Sequence, residues 1–192
     1  MNDNWSINTL PILKEENYRW SNSWTSIGDI GRIYNGRKFT YEDYYQTEQA
    51  YVKLLVAIFQ YLHARKIKLI QLEVYEDLPP KTTYDKSGEL RKWHKKVKNN
   101  MSLSLEDLHY IVPLILRENM WGTLYHKRSR TYIHFGYDYY VYVNSSMFYY
   151  HNDDKVYFNV ELEKLVSKYG LFIEYEYSPE LRMIGSLIKT KQ

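Results

Sequence analysis

Six histidines (His63, His94, His109, His126, His134 and His151) are the first residues whose spacing could do chemistry. None forms H-E-x-x-H or H-x-H, the spacings that place two imidazoles on one side of a helix or strand. His126 and His134 flank a short polar turn and are expected to face each other across a hairpin, where a metal would still need a third ligand. Glu174 and Glu176 are two apart in an extended run, so they share a strand face and could in principle do acid–base work. Ile173, Tyr175 and Tyr177 on the other face favour a solvated edge instead. Cysteine is absent, which removes a thiolate nucleophile, a disulfide framework, a cysteine zinc site and an iron–sulfur cluster. There is no G-x-S-x-G, P-loop or G-x-G-x-x-G. Gly28-Asp29-Ile30-Gly31 lacks a strand-to-helix setting and reads as a turn before a helix. The sequence therefore assigns no catalytic residue, cofactor or metal, and the chain is expected not to be an enzyme.

Binding is the other chemistry to weigh. Tyrosine contributes 22 residues, against 6 Phe and 5 Trp. Many fall between Thr131 and Phe158: Tyr132, Tyr137, Tyr139, Tyr140, Tyr142, Tyr149, Tyr150 and Tyr157. The net charge of +3 is local in origin, because residues 77–101 hold seven basic and three acidic residues. Within that stretch, Leu90–Lys98 interleaves lysines with Trp93. Cations with aromatics suit base stacking and phosphate contact. Tyrosine equally suits a protein interface, where it gives rigid contact area with a hydrogen-bonding tip.

These residues need elements to carry them. Thr40 and Asp43 form a capping box for a helix over Phe39–Ala64, with Phe39 and Tyr44 at staple spacing. Tyr51, Leu54, Leu55, Ile58, Phe59 and Leu62 make its 3.6-period stripe. In Ile67–Glu76, Ile70, Leu72 and Val74 alternate with Gln71, Glu73 and Tyr75, predicting a half-buried strand. Residues 77–101 open with Leu78-Pro79-Pro80 and are expected to be a basic surface insertion, its second half a short helix with Leu90, Trp93 and Val97 on one side. A second helix starts near Ser104 with Asp107 as box partner, and Pro113 inside it should kink it. From Met120 the period becomes two: Trp121–Lys127, Thr131–Phe135 and Tyr139–Val143 read as an antiparallel meander. A third helix, capped by Asn159, buries Leu162, Leu165, Val166 and Tyr169. Gly170 ends it, and Leu171–Tyr177 follows as a strand.

Residues 1–192 are thus read as a single α+β domain, a mostly antiparallel sheet with a Tyr-rich meander packed with about three helices. No apolar run approaches the ~18 residues of a membrane span. The start MNDNWSINTL lacks the basic and apolar regions of a secretory leader. The expected compartment is the bacterial cytoplasm, and no membrane partner is expected.

Three segments resemble a family of bacterial immunity proteins that accompany contact-dependent growth inhibition and related polymorphic toxins. They are Ser26-Ile-Gly-Asp-Ile-Gly31 with Gly36-Arg-Lys-Phe-Thr-Tyr-Glu-Asp-Tyr44 and Glu48-Gln-Ala-Tyr51; Leu114-Ile-Leu-Arg-Glu118 with Trp121; and His134-Phe-Gly-Tyr-Asp-Tyr-Tyr140 with Tyr142. The resemblance implies a cytosolic, non-enzymatic inhibitor that forms a 1:1 complex with the C-terminal domain of a cognate toxin, commonly a nuclease, and blocks its active site or an essential surface. It also implies that Gly136–Tyr140 holds the meander together rather than specifying a partner. An inhibitor of a basic nuclease would usually be acidic, which directs attention to Glu73, Glu76, Asp77, Asp153 and Asp154 as a local patch. The candidate toxin contacts are Asp138, Tyr140, Tyr142, Glu73, Glu76 and Asp77. The alternative is an RNA- or single-stranded-DNA-binding module using the Tyr-rich sheet and the basic loop.

Overall fold

The computed structural model describes residues 10–14, 23–75, 87–136, 139–145, 147–152, 155–158 and 160–173. Strand β1 (Leu10–Leu13) comes first. A 3₁₀ turn over Ile27–Asp29 follows, closed by a capping box between Ser26 and Asp29. The small hairpin β2 (Ile33–Tyr34) and β3 (Arg37–Lys38) turns on Asn35-Gly36 with φ of 50° and 78°, the paired positive φ of a type I′ turn.

Helix α1 (Tyr41–Tyr61) starts where the sequence predicts. The Asp43 N–H donates to Thr40 Oγ1, and the Thr40 N–H donates back to Asp43. Phe39 and Tyr44, the staple pair, are both buried, and both rings lie against Trp24. The stripe Tyr51, Leu54, Leu55, Ile58, Phe59 is fully buried.

Strand β4 (Ile67–Val74) departs from the expected alternation. Its fully buried residues are Ile67 and Leu69, whereas Val74 is exposed. A bulge between Ile70 and Glu73, with Gln71 at φ 53°, puts Leu72 on the face of Ile67 and Leu69 and Ile70 on the other, while Val74 is exposed at the strand end although it pairs with buried Met120. One extra residue inverts the side-chain phase after it.

The stretch expected to be a surface insertion is corrected from Glu89 onward; residues 77–86 lie outside the described residues. Helix α2 (Glu89–Lys96) and edge strand β5 (Met101–Leu103) are built into the fold. Trp93 stacks on Tyr110 at 5.5 Å and 11°. Buried His94 bonds the Asn119 carbonyl, Val97 joins the core, and β5 pairs with β4. The short helix with Leu90, Trp93 and Val97 on one side forms as expected; what differs is that this side packs against the core, with the lysine heads left in water.

Helix α3 (Leu108–Leu116) contains Pro113 and buries nearly every residue. The Ser104–Asp107 box forms, although residues 105–107 are a turn rather than helix. The meander is β6 (Met120–His126), β7 (Thr131–Phe135) and β8 (Val141–Asn144). Hairpin β9 (Tyr149–Asn152) with β10 (Lys155–Phe158), helix α4 (Val160–Lys168) and strand β11 (Phe172–Ile173) complete the order. Leu162 and Val166 form the buried face of α4, as expected. Gly170, at φ 69°, terminates it.

The class is α+β. Seven strands form one antiparallel sheet in the order β11-β1-β8-β7-β6-β4-β5. The four helices described cover one face. Ile12, Leu69, Leu124, Ile133, Val141 and Val143 from the sheet join the buried sides of α1, α3 and α4 in one apolar cluster. Among the described residues, no helix is long and apolar enough to cross a membrane.

Candidate functional site

The sheet has two chemically different faces. Val141 and Val143 are fully buried towards the helices, while Tyr140 and Tyr142 are half-buried on the other side, as strand alternation requires. Tyr139 also turns inward, but from a left-handed turn at φ 67° rather than from the strand. Tyr140 and Tyr142 stack on each other at 6.1 Å and 14°. Gly136 is a close-approach position, since a Cβ there would stand 2.6 Å from the Tyr142 ring. Tyr142 is therefore partly occupied in packing its own turn.

The remaining outer-face residues follow from register. Tyr142 lies opposite His134, His134 opposite Thr123, and Thr123 opposite Ile70. Thr123 Oγ1 contacts Gln71 Oε1 at 3.0 Å and His134 Nδ1 at 3.1 Å. Tyr125 and Tyr132 stack at 4.4 Å, and Trp121 meets His134 edge-on. Glu73 is exposed and opposite Trp121, so it shares this face. Three strand spacings separate it from Tyr142, about 14 Å, so the fold brings them to one face but not to one pocket. Asp138, Glu76 and Asp77 lie outside the described residues, as do Asp153, Asp154, Glu174 and Glu176.

His126 and His134 do not face each other, which corrects the sequence expectation. His134 pairs with Thr123 and His126 with Thr131, and an even–odd difference between the partners sends the two imidazoles to opposite faces. Burial lowers the pKa of both, helped at His126 by Arg128. His126 Nδ1 sits 2.7 Å from Ser129 Oγ, and the hydroxyls of Ser129, Thr131 and Ser145 continue the chain inward. A serine beside an imidazole has the spacing of a nucleophile–base pair. No carboxylate is bonded to that imidazole among the described residues, and the chain of hydroxyls ties down the β6–β7 turn. Among the described residues, no group of three His, Asp or Glu stands together to hold a metal.

One buried polar assembly was not visible in the sequence. Arg117, at the end of α3, donates from Nε and Nη2 to both oxygens of Glu48 on α1, at 2.6 and 2.7 Å. Glu48 is 0% exposed, and the Arg117 side chain only 7%. Burial alone would lower the guanidinium pKa, but the bidentate carboxylate outweighs it and the net shift is upward. Tyr44 and Tyr139 pack edge-on beside the pair. Among the described residues their hydroxyls have no partner at good hydrogen-bond geometry, although they lie close to each other and to Glu48, and burial pushes both phenols well above the usual value. Tyr51 donates to the Tyr139 carbonyl at 2.7 Å and reaches the Ile12 carbonyl at 3.2 Å.

This assembly joins the three segments on which the resemblance rests: Tyr44, Glu48 and Tyr51 come from the first, Arg117 from the second, Tyr139 from the third. Asp29 of the first segment is likewise internal. Its carboxylate accepts from Thr25 and Ser26 and pairs with Arg32.

The chain is an antiparallel α+β protein whose motif residues hold its own core and whose outer sheet face carries aromatic pairs. In comparison with known proteins, no family model, no curated protein and no solved structure matches the chain.

Proposed function

We propose that this chain is an immunity protein that binds a cognate bacterial toxin domain 1:1 in the cytoplasm and blocks its active site or an essential surface. The toxin is read as a nuclease. The observation that carries this reading is the convergence of the three motif segments on one buried network, Glu48–Arg117 with Tyr44, Tyr51 and Tyr139. Motif residues scattered over more than ninety positions would be a weak signal if each sat alone on the surface. Interlocked, they behave as the scaffold of one fold, which leaves recognition to the residues around it.

The nucleic-acid alternative relies on tyrosine rings as stacking platforms. On the outer face Tyr125 stacks with Tyr132 and Tyr140 with Tyr142, so these rings already have partners and give that alternative no specific support. The test is to look for a large secreted protein encoded immediately upstream and to co-express its C-terminal domain with this chain, followed by size exclusion and a growth assay. A single co-eluting peak with growth rescue is expected. Separate peaks without rescue would end the reading.

A further inference from the structure

Tertiary structure gathers cations that lie far apart in the chain. An open groove of about 1010 Å³ runs between the end of α1 and the β6–β7 turn. Arg65 and Lys66 line one side, Lys127 and Arg128 the other, with His63 and His126 between them. Leu105 and Ala64 supply an apolar floor, no carboxylate lines it, and the rings that line it are the imidazoles of His63 and His126.

Several cations of the fold are held by carboxylates. Arg32, Arg37, Lys92, Arg117 and Lys164 each pair with a carboxylate. Among the described residues no carboxylate pairs with Arg65, Lys66, Lys127 or Arg128. The C-terminal dipole of α1 accounts for two of them at most, because Lys127 and Arg128 sit on a strand turn. The helix carbonyls are also already engaged. The His63 N–H bonds the Gln60 carbonyl and the Ala64 N–H bonds the Phe59 carbonyl, with His63 at φ 49°. Four mutually repelling, unpaired charges around an apolar floor describe half of an interface.

We propose that this groove is the docking site for a carboxylate-bearing segment of a protein partner; the proposal rests on the immunity reading and gives the toxin's contact surface an acidic chemistry. The lining has no Phe, Tyr or Trp platform for base stacking, the choice of a protein partner follows from the immunity reading, and the oligouridine arm below tests the imidazoles of His63 and His126 as an alternative platform. It reverses the electrostatics inferred from sequence, which placed Glu73, Glu76 and Asp77 against a basic toxin.

The experiment uses the full chain and the upstream toxin domain, with fluorescein-labelled oligouridine as the nucleic-acid probe. The variants are Arg65→Glu/Lys66→Glu/Lys127→Glu/Arg128→Glu, the same four positions changed to Gln, and Tyr140→Ala/Tyr142→Ala. Toxin affinity of the Glu variant should fall about 100-fold or more at low salt, and the gap should narrow between ~0.01 M and ~1 M salt as the Debye length shrinks. The Gln variant should fall less, with its melting temperature unchanged, which keeps the test valid if the Glu variant misfolds. Wild-type affinity in both charge variants, with loss confined to the tyrosine variant, overturns the groove while leaving the immunity reading intact. Oligouridine binding that the charge variants lose, with toxin binding unchanged, makes the groove a nucleic-acid site instead. Absence of any wild-type complex defeats both readings together.

Discussion

Arg117→Met removes one half of a buried charge pair and leaves the other in place. Glu48 is 0% exposed and takes both guanidinium bonds at 2.6 and 2.7 Å, so without Arg117 its carboxylate loses its cation in a site closed to water. Breaking such a pair from one side costs about 3–5 kcal/mol. For a protein of this size each kcal/mol moves the midpoint by roughly 2–4 °C, so the melting temperature should fall by roughly 6–20 °C. The double variant Glu48→Met/Arg117→Met removes both charges and fills the space with methylenes, and it should recover most of that loss. Thermal unfolding followed by far-UV circular dichroism completes the cycle. Because the pair is shielded from solvent, the deficit should change little between ~0.01 M and ~1 M salt. A single variant within about 1 kcal/mol of wild type would refute the argument that this pair is desolvated. A double variant no better than the single one would show that the sites cannot repack.

Four further outcomes follow from particular contacts. Tyr51→Phe should cost about 1–2 kcal/mol in urea unfolding, since it strands the carbonyls of Ile12 and Tyr139. Tyr139→Phe should be neutral or stabilising, because it deletes a buried hydroxyl with no partner at good hydrogen-bond geometry among the described residues; the reverse ranking would contradict the geometry. Trp93→Ala should cost about 2 kcal/mol by loss of the Tyr110 stack, and a stability equal to wild type would return α2 to the status of a surface insertion. Asp29 is pushed up by burial but pulled down more strongly by the Thr25 and Ser26 bonds and by Arg32, to a net value below 3.8. Its contribution is complete above the unfolded value and disappears as pH falls through the folded one, so Asp29→Asn should be less stable at neutral pH and converge on wild type below about pH 4. A gap that stays constant into that range would show that the carboxylate's charge is not what the turn uses.

Local patterns carried the elements that could be read without a structure. Thr40 and Asp43 are three residues apart, and that spacing alone places both cap bonds of α1. Tyr140, Val141, Tyr142 and Val143 alternate, and a pleated strand leaves no choice about which pair is buried. Gly170 announces a left-handed helix end because glycine adopts that region freely. The same C-terminal motif closes α1 at His63 and α3 at Glu118, with φ of 49° and 57°. Neither residue advertises it, since the packing of the following chain imposes the conformation. Strand β1 was missed for a related reason: it contains Pro11 and pairs with residues 141–143 and 172–173, too distant for any local period to report.

Periodicity and caps act over a few residues, and the sequence by itself determined the α+β class, the N-terminal border of α1 and the two faces of the meander at that range. The bulge at Gln71, the integration of residues 89–101 and the separation of His126 from His134 depended on neighbouring strands and helices. Charge shows the division most plainly. Glu48 and Arg117 look like surface residues in a linear chain, because a lone charge belongs in water. They are buried because the fold sets them together across 69 positions, where each satisfies the other. Arg65 and Lys66, and Lys127 and Arg128, are likewise two unremarkable pairs until α1 and the β6–β7 turn converge on one groove. Coulombic interaction depends on distance through space, and only the tertiary structure fixes that distance.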